Sequence, residues 1–483
     1  MATGTRVLQL CLDRPDPVAL GGVAVHVAAL SSHVPPGVTV FTAYPSAGDL
    51  LVEGWSPRRL VAAVPANPDT GNGASALSAA LLGTDATVLH VHSPPFGPGV
   101  IVGAARATRA RLSVALHDHS LVCENYELLE GGSRYCGIPM DLARCDRCLA
   151  KTLGRPPGSL AALRKEMSAL VDAADAIVAP SRSVLELART VHPSISAHAR
   201  HIPWGIPLPR ARRSALPAVP GPLRIAVVGV WAKVKGTEQL PALLAACREL
   251  DVEWHLFGAT EGASLARVER SGARIVAHGA YPRAALAGRL VAAGCHLVAL
   301  PSVGAETFSL VLSEVVAAGF PVLASDLGAL GERVRESELG WLFDPFEPAT
   351  FVGVVARLAG DRPEVERVAA HVRGLPRRGE PEMARDHAML WEELSQREPR
   401  LAPLPALEQE RAARAATALF AAGVERAEAR RPSRLDALFE FAKKSDFYRD
   451  LRLRRLLPER ARKAIEHALR RPSYRAGRAK DRR

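Results

Sequence analysis

The sequence lacks any apolar run long enough to cross a membrane. Its 483 residues are 48% hydrophobic, yet no uninterrupted apolar stretch approaches the roughly 18 residues that a membrane span requires. The apolar run from Val7 to Leu12 is too short for a secretory signal and ends at Asp13. We therefore expect a cytoplasmic protein that is long enough to fold into two or three domains with apolar cores.

Cysteine is scarce, and its number is odd. Seven cysteines in a chain without an export signal argue against a disulfide framework and favour reduced thiols or metal ligands. Cys11, Cys247 and Cys295 lie within apolar strand or helix patterns, which predicts buried core thiols.

Most of the chain carries almost no net charge. Residues 401–483 hold 22 Lys and Arg against 11 Asp and Glu, so this tail carries +11 of the net charge of +12. The tail has neither aromatic repeats for base stacking nor a zinc-finger pattern, so nucleic acid is not an expected partner. A repeat of about 20–50 residues is also absent from the sequence.

Short apolar runs alternate with helical patterns in two successive series. This alternation predicts an α/β fold with two parallel sheets, each covered by helices on both faces. The first series runs Val7 to Leu10, Val38 to Thr42, Val88 to Val91, Ser113 to Leu116 and Ala176 to Ala179, and the second runs Arg224 to Val228, Glu253 to Phe257, Arg274 to Ala277, His296 to Leu300, Pro321 to Ser325 and Gly340 to Phe343. Ligands of such sheets bind at the carboxyl ends of the strands, so we expect a cleft between two Rossmann-like domains.

Composition and pattern together predict five segments. These are a first domain at 1–206, a Pro/Arg-rich linker at 207–222, a second domain at 223–380, a closing helix at 381–399 and a basic helical tail at 400–483.

The segment from Glu306 to Glu314 is the most informative in the chain. It reads Glu-Thr-Phe-Ser-Leu-Val-Leu-Ser-Glu and lies between a predicted strand and the helix stop Gly319-Phe320-Pro321. Apolar spacing predicts a helix that begins at about Phe308. Free amides and the positive dipole end at a helix start bind anions such as a diphosphate, with the two carboxylates facing hydroxyl groups on either side. The alternative is a capping and surface pair on an ordinary helix.

With its neighbours along the chain, this segment resembles the donor-binding signature of the family-four retaining glycosyltransferases. The other motifs that carry the resemblance, in order, are Gly21-Gly22, Val91-His92, His117-Asp118, Pro180-Ser181-Arg182, Gly205, Gly229 with Lys235-Gly236, Phe257-Gly258, Pro301-Ser302 and Gly328. The resemblance implies the glycosyltransferase B fold, two Rossmann-like domains facing across a cleft, here with a basic helical C-terminal extension. It is nearest to members with a four-cysteine loop that act in surface polysaccharide synthesis.

The resemblance also implies roles for residues on the donor side. Glu306 would hold the sugar hydroxyls, and Glu314 would accept hydrogen bonds from the ribose hydroxyls. The diphosphate would be bound by the amides of Phe308, Ser309 and Leu310, by Lys235, and by the backbone at Gly21 and Gly22. Gly229 and Gly258 are further expected members of the nucleotide-sugar site, with Gly258 near the base.

One position departs from the family pattern. The family commonly places an arginine directly after the glycine at position 229, and this chain has Val230 there. Lys233 is the candidate for the missing positive charge, although as a point charge and not a bidentate fork. Gly21-Gly22, taken alone, also fits a plain tight turn.

His117 and Asp118 follow a predicted strand on the cleft side of the first domain. The resemblance places His117 beside the transferred sugar and makes Asp118 an orienting group or an acceptor contact. The resemblance implies that the departing phosphate acts as the base, so no protein nucleophile is required. It also implies that no catalytic metal is needed. His90 and His92 alternate along a strand and are expected to satisfy local hydrogen bonds.

Four cysteines follow the His117 loop at the spacing Cys-x12-Cys-x8-Cys-x2-Cys. Cys123, Cys136, Cys145 and Cys148 fit a tetrahedral structural zinc that would order the loop 123–148. Free thiols or one labile disulfide are the alternatives.

The tail contains an amphipathic helical pattern within residues 431–471, with leucines on one face and arginines interspersed. A basic amphipathic helix binds an anionic membrane surface, where lipid-linked acceptors lie, and would place the protein on the inner face of the cytoplasmic membrane. The alternative is a solvated helix that packs against a partner.

The expected activity is transfer of a sugar from a nucleotide-sugar donor to an acceptor hydroxyl with retention of anomeric configuration. The acceptor would be a sugar or a lipid-linked sugar in surface glycan or glycolipid synthesis. The alternatives are a non-catalytic scaffold of the same fold in polysaccharide assembly, and a sugar-nucleotide epimerase.

Overall fold

The computed structural model describes residues 4–17, 21–66, 72–214, 221–229, 232–258 and 263–429. Helices and strands alternate through these residues, with strands β1 to β10 before residue 202 and β11 to β16 after residue 222. No helix among them has both the length and the apolarity to cross a membrane.

The first sheet has eight strands among the described residues, in the order β10-β9-β6-β5-β1-β2-β3-β4. Its strands are β1 Thr5–Leu10, β2 Val38–Ser46, β3 Asp49–Trp55, β4 Arg58–Pro65, β5 Val88–Val91, β6 Arg111–Ala115, β9 Ala176–Ala179 and β10 Ala199–His201. Strand β1 pairs in parallel with both β2 and β5, whereas β3 pairs antiparallel with β2 and with β4. The expectation of a purely parallel first sheet is therefore wrong at this edge, because short turns let the chain double back twice.

The second sheet has six parallel strands in the order β13-β12-β11-β14-β15-β16. They are β11 Leu223–Val228, β12 Val252–Phe257, β13 Ile275–Gly279, β14 Leu297–Leu300, β15 Val322–Ser325 and β16 Gly340–Phe343. The central strand β14 is buried along its whole length, as a parallel strand covered on both faces requires.

Helices cover the faces of both sheets. Those between the strands of the first sheet are α1 Gly22–Ser32, α2 Gly73–Gly83, α3 Pro98–Thr108, α4 Leu142–Leu153, α5 Ser159–Ala173 and α6 Arg182–Arg189. Those that follow β11 are α7 Leu240–Ala246, α8 Ala263–Glu269, α9 Leu286–Ala292, α10 Leu310–Ala317, α11 Gly328–Glu336, α12 Pro348–Gly360, α13 Arg362–Gly374, α14 Glu380–Ser395 and α15 Ala406–Ala429. A small hairpin, β7 Leu129–Glu130 and β8 Arg134–Tyr135, lies in the cysteine loop.

Helix α14 follows the second sheet in the chain but packs against the first. Its buried Met383, Trp391 and Leu394 share an apolar cluster with Val7 of β1 and Val88 of β5. The approach is tight at Gly205, where an added Cβ would lie 2.0 Å from the carbonyl oxygen of Gly379. This helix therefore belongs to the core of the first sheet.

Helix α15 also packs against the first sheet. Ala416 is buried in the core of that sheet, and Phe420 fills the space where a Cβ of Gly83 would otherwise lie. The predicted basic tail thus begins with a helix that contributes apolar side chains.

Candidate functional site

The centre of the candidate site is an ion pair between Lys235 and Glu306. Lys235 Nζ lies 2.7 Å from Glu306 Oε2, and the Glu306 side chain is only 10% exposed. Ser302 Oγ donates a hydrogen bond to the other carboxylate oxygen, Oε1. Burial alone would raise the pKa of Glu306, but Lys235, Ser302 and Ser309 outweigh it and lower that pKa. Glu306 is therefore a fixed, ionised hydrogen-bond acceptor.

The backbone around Gly236 holds Lys235 in place. Residues Lys233–Lys235 form a 3-10 turn that ends at Gly236, whose φ of +78° is in the left-handed region. A Cβ at Gly236 would lie 1.9 Å from the carbonyl oxygen of Pro301, so only glycine fits. The amide of Val303 donates to the carbonyl of Val234 at 2.9 Å, which ties this turn to the loop that carries Glu306.

The helix after Glu306 begins two residues later than expected. Helix α10 starts at Leu310, and Ser309 is its N-cap with φ of +66°. Ser309 Oγ accepts a hydrogen bond from the amide of Leu312 at 3.4 Å. The Ser309 hydroxyl thus gives one of the first amides of the helix a hydrogen-bond partner. The amides of Leu310 and Val311 have no partner within the helix, and Phe308 and Ser309 lie before it.

Phe308 contributes its ring to the core, not to a ligand. It is 2% exposed and packs against Trp204 with ring centroids 5.3 Å apart. The Arg333 guanidinium lies 4.1 Å from the centre of the Phe308 ring and donates to the Phe308 carbonyl at 2.7 Å. Burial lowers the pKa of Arg333 to about 10. Arg333, on α11, was missed because no local pattern links it to this loop.

Gly21 and Gly22 lie opposite the start of α10. Gly22 is the first residue of α1 with Gly21 as its N-cap, and a Cβ at Gly22 would meet Leu310 Cδ1 at 3.6 Å. Two helix starts, one from each sheet, therefore face each other. Their amides and dipoles concentrate positive potential in the space between them.

Glu314 is paired with Arg283, a residue that the sequence did not single out. Arg283 Nε donates to Glu314 Oε1, and the Glu314 side chain is 14% exposed. Burial raises the pKa of Glu314, while Arg283 opposes that rise. Glu314 lies one helical turn or more beyond the start of α10, on the side of Tyr281.

The remaining donor-side candidates lie at strand ends. Gly229 and Gly258 follow β11 and β12 with φ of +128° and +148°, and their amides donate to the carbonyls of Phe257 and Gly279. Lys233 is directed elsewhere, because it is 67% exposed and pairs with Glu238 at 3.1 Å. Val230 lies outside the described residues.

Next to Gly258, the partly exposed ring of His278 covers the fully buried ring of Phe257. Phe257 and His278 are stacked with centroids 4.1 Å apart and an interplanar angle of 1°. His278 Nε2 is 2.9 Å from His255 Nδ1, which fixes the plane of its ring.

His117 and Asp118 lie at the end of β6, close to the Glu306 loop. Thr307 Oγ1 donates to the backbone carbonyl of His117 at 2.8 Å, and His119 Nε2 is 2.8 Å from the carbonyl oxygen of Ala305. Asp118 Oδ1 accepts the amide of Ser120 at 2.9 Å. Burial lowers the pKa of His117 to about 3, so its ring is neutral and a poor proton acceptor.

Behind His117 is a buried cluster of imidazoles. His117 Nε2 lies 2.8 Å from His92 Nδ1, and His92 Nε2 lies 2.7 Å from Gln9 Oε1. His26 packs against both rings. Both strand histidines bond to neighbouring strands: His90 Nδ1 lies 2.9 Å from Ser113 Oγ of β6, and His92 bridges Gln9 of β1 and His117.

The four loop cysteines surround one small cavity. All four are free, and they line a space of about 30 Å³ with Leu128, Leu129 and other loop residues. Burial raises the pKa of Cys123 to about 11 and also raises those of Cys136 and Cys145. The thiol forms are favoured as the structure stands, and thiolate ligation would require a metal to reverse this.

A larger cavity of about 780 Å³ opens between the cysteine loop and the second sheet. The cysteine loop contributes Tyr135 and Arg144, and the ends of β15 and β16 contribute Asp326 and Asp344. Leu327 lines this cavity, and the next residue, Gly328, lies against the carbonyl of Glu306.

Known proteins match this chain in two ways. The match in sequence covers the second sheet, and the match in structure covers most of the chain. Residues 222–361 match the family model described as Glycosyl transferases group 1. No curated protein matches the chain in sequence.

Three solved structures illustrate the likeness in fold. The sucrose-phosphate synthase from Thermosynechococcus elongatus is 20% identical, with 81% of this chain and 96% of that chain covered and a TM-score of 0.52. Anabaena HepE in complex with UDP is 15% identical, with coverage of 80% and 100% and a TM-score of 0.51. The catalytic domain of starch synthase IV from Arabidopsis thaliana, bound to ADP and acarbose, is 13% identical, with coverage of 82% and 100% and a TM-score of 0.54.

These identities are too low to carry more than architecture. The chain therefore has the glycosyltransferase B fold, and its residues 222–361 match the glycosyl transferases group 1 domain.

Proposed function

We propose that the chain is a retaining glycosyltransferase that moves a sugar from a nucleotide-sugar donor to an acceptor hydroxyl. The observation that carries the proposal is the Lys235–Glu306 ion pair at 2.7 Å beside the start of α10, in which the carboxylate is buried and the lysine is 41% exposed. The resemblance to family-four enzymes, with Glu306 and Glu314 as its paired glutamates, supports the retaining outcome. HepE with UDP and starch synthase IV with ADP support a nucleotide donor for this fold.

The diphosphate of the donor would lie between the starts of α1 and α10. Amides of Leu310 and Val311 and the backbone at Gly21-Gly22 donate hydrogen bonds there, and Lys235 neutralises the charge that develops as the diphosphate departs. These groups are fixed by the fold before the ligand arrives, so little reorganisation is needed in the transition state.

The two glutamates would hold the two ends of the donor. Glu306 accepts hydrogen bonds from sugar hydroxyls, and Glu314 accepts them from the ribose. The partly exposed ring of His278 near Gly258 offers stacking to the base.

The residues near the reacting carbon argue against a protein base. His117 is neutral with a pKa of about 3, and the Asp118 carboxylate accepts the amide of Ser120. The departing phosphate would then take the proton of the acceptor hydroxyl, while His117 and Asp118 orient the sugar and the acceptor. The acceptor would enter through the 780 Å³ cavity beside the cysteine loop.

Binding of a panel of nucleoside diphosphates, followed by thermal shift, tests the donor site. A ligand that binds only the native state raises the melting temperature by an amount that grows with its affinity. We expect one diphosphate to raise it in the wild type and in Lys233→Ala, and to raise it clearly less in Lys235→Ala at the same concentration. No shift with any diphosphate at millimolar concentration would refute the proposal.

Turnover separates an enzyme from the two alternative functions. Slow hydrolysis of the bound nucleotide sugar without acceptor is expected of a transferase, whereas binding without hydrolysis would indicate a scaffold. Conversion of the sugar with its nucleotide still attached would indicate an epimerase. NMR of the anomeric proton in the product determines whether configuration is retained.

The surface-glycan pathway and the membrane partner rest on the cysteine loop and the tail. Residues 431–471 lie outside the described residues, so their amphipathic pattern remains a prediction from sequence. Sedimentation of the full chain with anionic liposomes at moderate salt, compared with neutral liposomes, tests it.

A further inference from the structure

We propose that His26, His92 and His117 form a binding site for a divalent transition metal of the Zn²⁺ class, each through one ring nitrogen. The three residues come from α1, from the segment directly after β5 and from the segment directly after β6. Their ligand atoms all lie within 4.8 Å of one another, and among the described residues no other group of three His, Cys, Asp or Glu side chains meets this condition.

A chain of hydrogen bonds presents the lone pair of His92. Ser31 Oγ donates to the Val27 carbonyl at 2.7 Å, so it accepts from Gln9 Nε2, also at 2.7 Å. The amide nitrogen of Gln9 is thereby fixed, and its Oε1 must accept from His92 Nε2. His92 Nδ1 is left without a proton and faces the other two rings, and this arrangement of a ligand imidazole by an outer partner is typical of metal sites.

His26 has no other use for its ring nitrogens. It is 3% exposed, and neither Nδ1 nor Nε2 has a hydrogen-bond partner. His117 Nδ1 is also buried without a partner. Unsatisfied buried polar atoms are costly, commonly about 1–3 kcal/mol each, and a cation at the centre of the three rings would give His26 a partner.

Binding of a metal requires only small shifts of the three rings, whose ligand atoms now lie within 4.8 Å of one another. In tetrahedral zinc sites the metal–nitrogen distance is about 2.0–2.1 Å, which places ligand nitrogens about 3.3 Å apart. His92 Nδ1 and His117 Nε2 are 2.8 Å apart and would separate slightly. The proton of His117 would move from Nε2 to the unpartnered Nδ1, so that both facing nitrogens offer a lone pair to the metal. Three protein ligands leave the fourth position for water.

The site shares His117 with the proposed sugar contacts, but Trp204 separates it from the segment that precedes α10. Trp204 packs on His26 with centroids 4.6 Å apart and on His117 at 4.9 Å, and its ring also contacts Phe308 at 5.3 Å. The Trp204 ring thus lies between the three imidazoles and the segment that precedes α10. A metal there would act by holding His117 in position at the end of β6.

Cobalt(II) is a suitable probe, because its visible d–d bands report coordination by nitrogen, and thiolate ligands add a separate charge-transfer band in the near ultraviolet. The full chain, without a histidine tag, is stripped with a chelator and titrated with Co²⁺. We expect d–d bands that saturate, and a rise in melting temperature. The His26→Phe variant should bind about one Co²⁺ fewer per chain than the wild type. It should lose the d–d bands of the histidine site and keep any cobalt spectrum that includes the thiolate charge-transfer band.

His26→Phe is informative because it removes no hydrogen bond. Without a metal, the substitution should leave the melting temperature unchanged or raise it; with a metal, it should abolish the stabilisation by Co²⁺. His26→Leu serves as a second variant if Phe does not fit beside Trp204. His387→Gln is the matched control, since His387 contacts the His26 ring at 5.8 Å but is not part of the group.

The outcomes are decisive in either direction. Equal Co²⁺ stoichiometry and spectra in the wild type and in His26→Phe, or cobalt bound only with the thiolate band, would overturn the proposal. Loss of the d–d bands in His26→Phe and His26→Leu, with retention in His387→Gln, would support it.

Discussion

The hydroxyl of Thr307 donates a 2.8 Å hydrogen bond to the backbone carbonyl of His117, which joins the loop after β14 to the end of β6. The loop that carries Glu306 and the segment that carries His117 and Asp118 are therefore held next to each other. The consequences of single substitutions can be stated on this basis.

Lys235→Ala should weaken binding of the preferred nucleoside diphosphate by about 10–100-fold, the usual value of one charged hydrogen bond. Lys233→Ala provides the control within the same 3-10 turn, because Lys233 pairs with Glu238 on the surface. Isothermal titration of both variants measures the difference. Equal losses in the two variants would show that Lys235 has no special contact with phosphate.

Removal of Lys235 should also change how stability depends on pH. The wild-type pKa of Glu306 is lowered, so its contribution is present above the unfolded value of about 4.3 and is lost as pH falls. In Lys235→Met the carboxyl group has lost its cation, so burial raises its pKa. The stability that the protonated Glu306 then contributes at low pH is lost as pH rises through the folded-state pKa. The difference in unfolding free energy between the wild type and the variant should therefore increase with pH. Between about pH 4 and pH 7 we expect this increase to be on the order of 1–3 kcal/mol.

The same pair of proteins in a Glu306→Gln background isolates this effect. Chemical denaturation at several pH values should then show a difference that is constant across the range. A pH dependence that persists without the carboxylate would assign it to another group.

Glu314→Ala should reduce discrimination between ribose and dideoxyribose. If Glu314 holds the ribose hydroxyls, the wild type should bind a nucleoside diphosphate about 10–100-fold more tightly than its 2′,3′-dideoxy form. The variant should bind the two forms with nearly equal affinity. Glu269→Ala, an exposed carboxylate on α8, should keep the wild-type preference.

Gly236→Ala should be far more destabilising than Gly272→Ala. Both glycines have nearly the same φ, +78° and +75°, so the left-handed backbone costs each variant about 1–2 kcal/mol. Only Gly236 also faces a carbonyl oxygen at 1.9 Å, whereas the nearest atom to a Cβ at Gly272 is 3.8 Å away. Because the backbone strain is nearly the same in both variants, the difference between their melting temperatures measures the effect of the steric clash at Gly236. Similar melting temperatures would contradict the prediction.

Cys148→Ser should remove about one zinc per chain if the loop cysteines bind the metal. Cys247→Ala, which changes a buried thiol in the core of the second sheet, should leave the zinc content unchanged. Elemental mass spectrometry of untagged protein measures both. Equal zinc content in wild type and Cys148→Ser would indicate free thiols.

Much of the fold could be predicted because parallel strands are locally encoded. The runs Val88 to Val91 and Ala176 to Ala179 coincide with β5 and β9, since a strand buried on both faces is a continuous apolar run. Strands β3 and β4 were missed. Strand β3 buries Glu53, whose charge is matched by Arg14 and Arg58 from outside the strand, so its sequence does not read as a core strand.

The residues of the candidate site likewise fall into those that a local sequence pattern predicts and those that it does not. Glu306, Lys235 and Gly22 were predicted because each lies at a strand end or helix start marked by glycine, proline or charge. Arg283, Arg333 and His26 were not, because their partners Glu314, Phe308 and His117 are distant in the chain. The start of α10 was misplaced because the cap at Ser309 depends on a left-handed φ that apolar spacing does not reveal.

The return of α14 to the first sheet means that the polypeptide cannot be divided into two self-sufficient fragments. A piece that stops at the segment before β11 would lack Met383, Trp391 and Leu394, and it would expose the apolar faces of Val7 and Val88 to water. The complementary piece would carry that same helix with nothing to cover it. Both fragments would be prone to aggregate when expressed separately, and their co-expression would restore solubility through reassembly on α14.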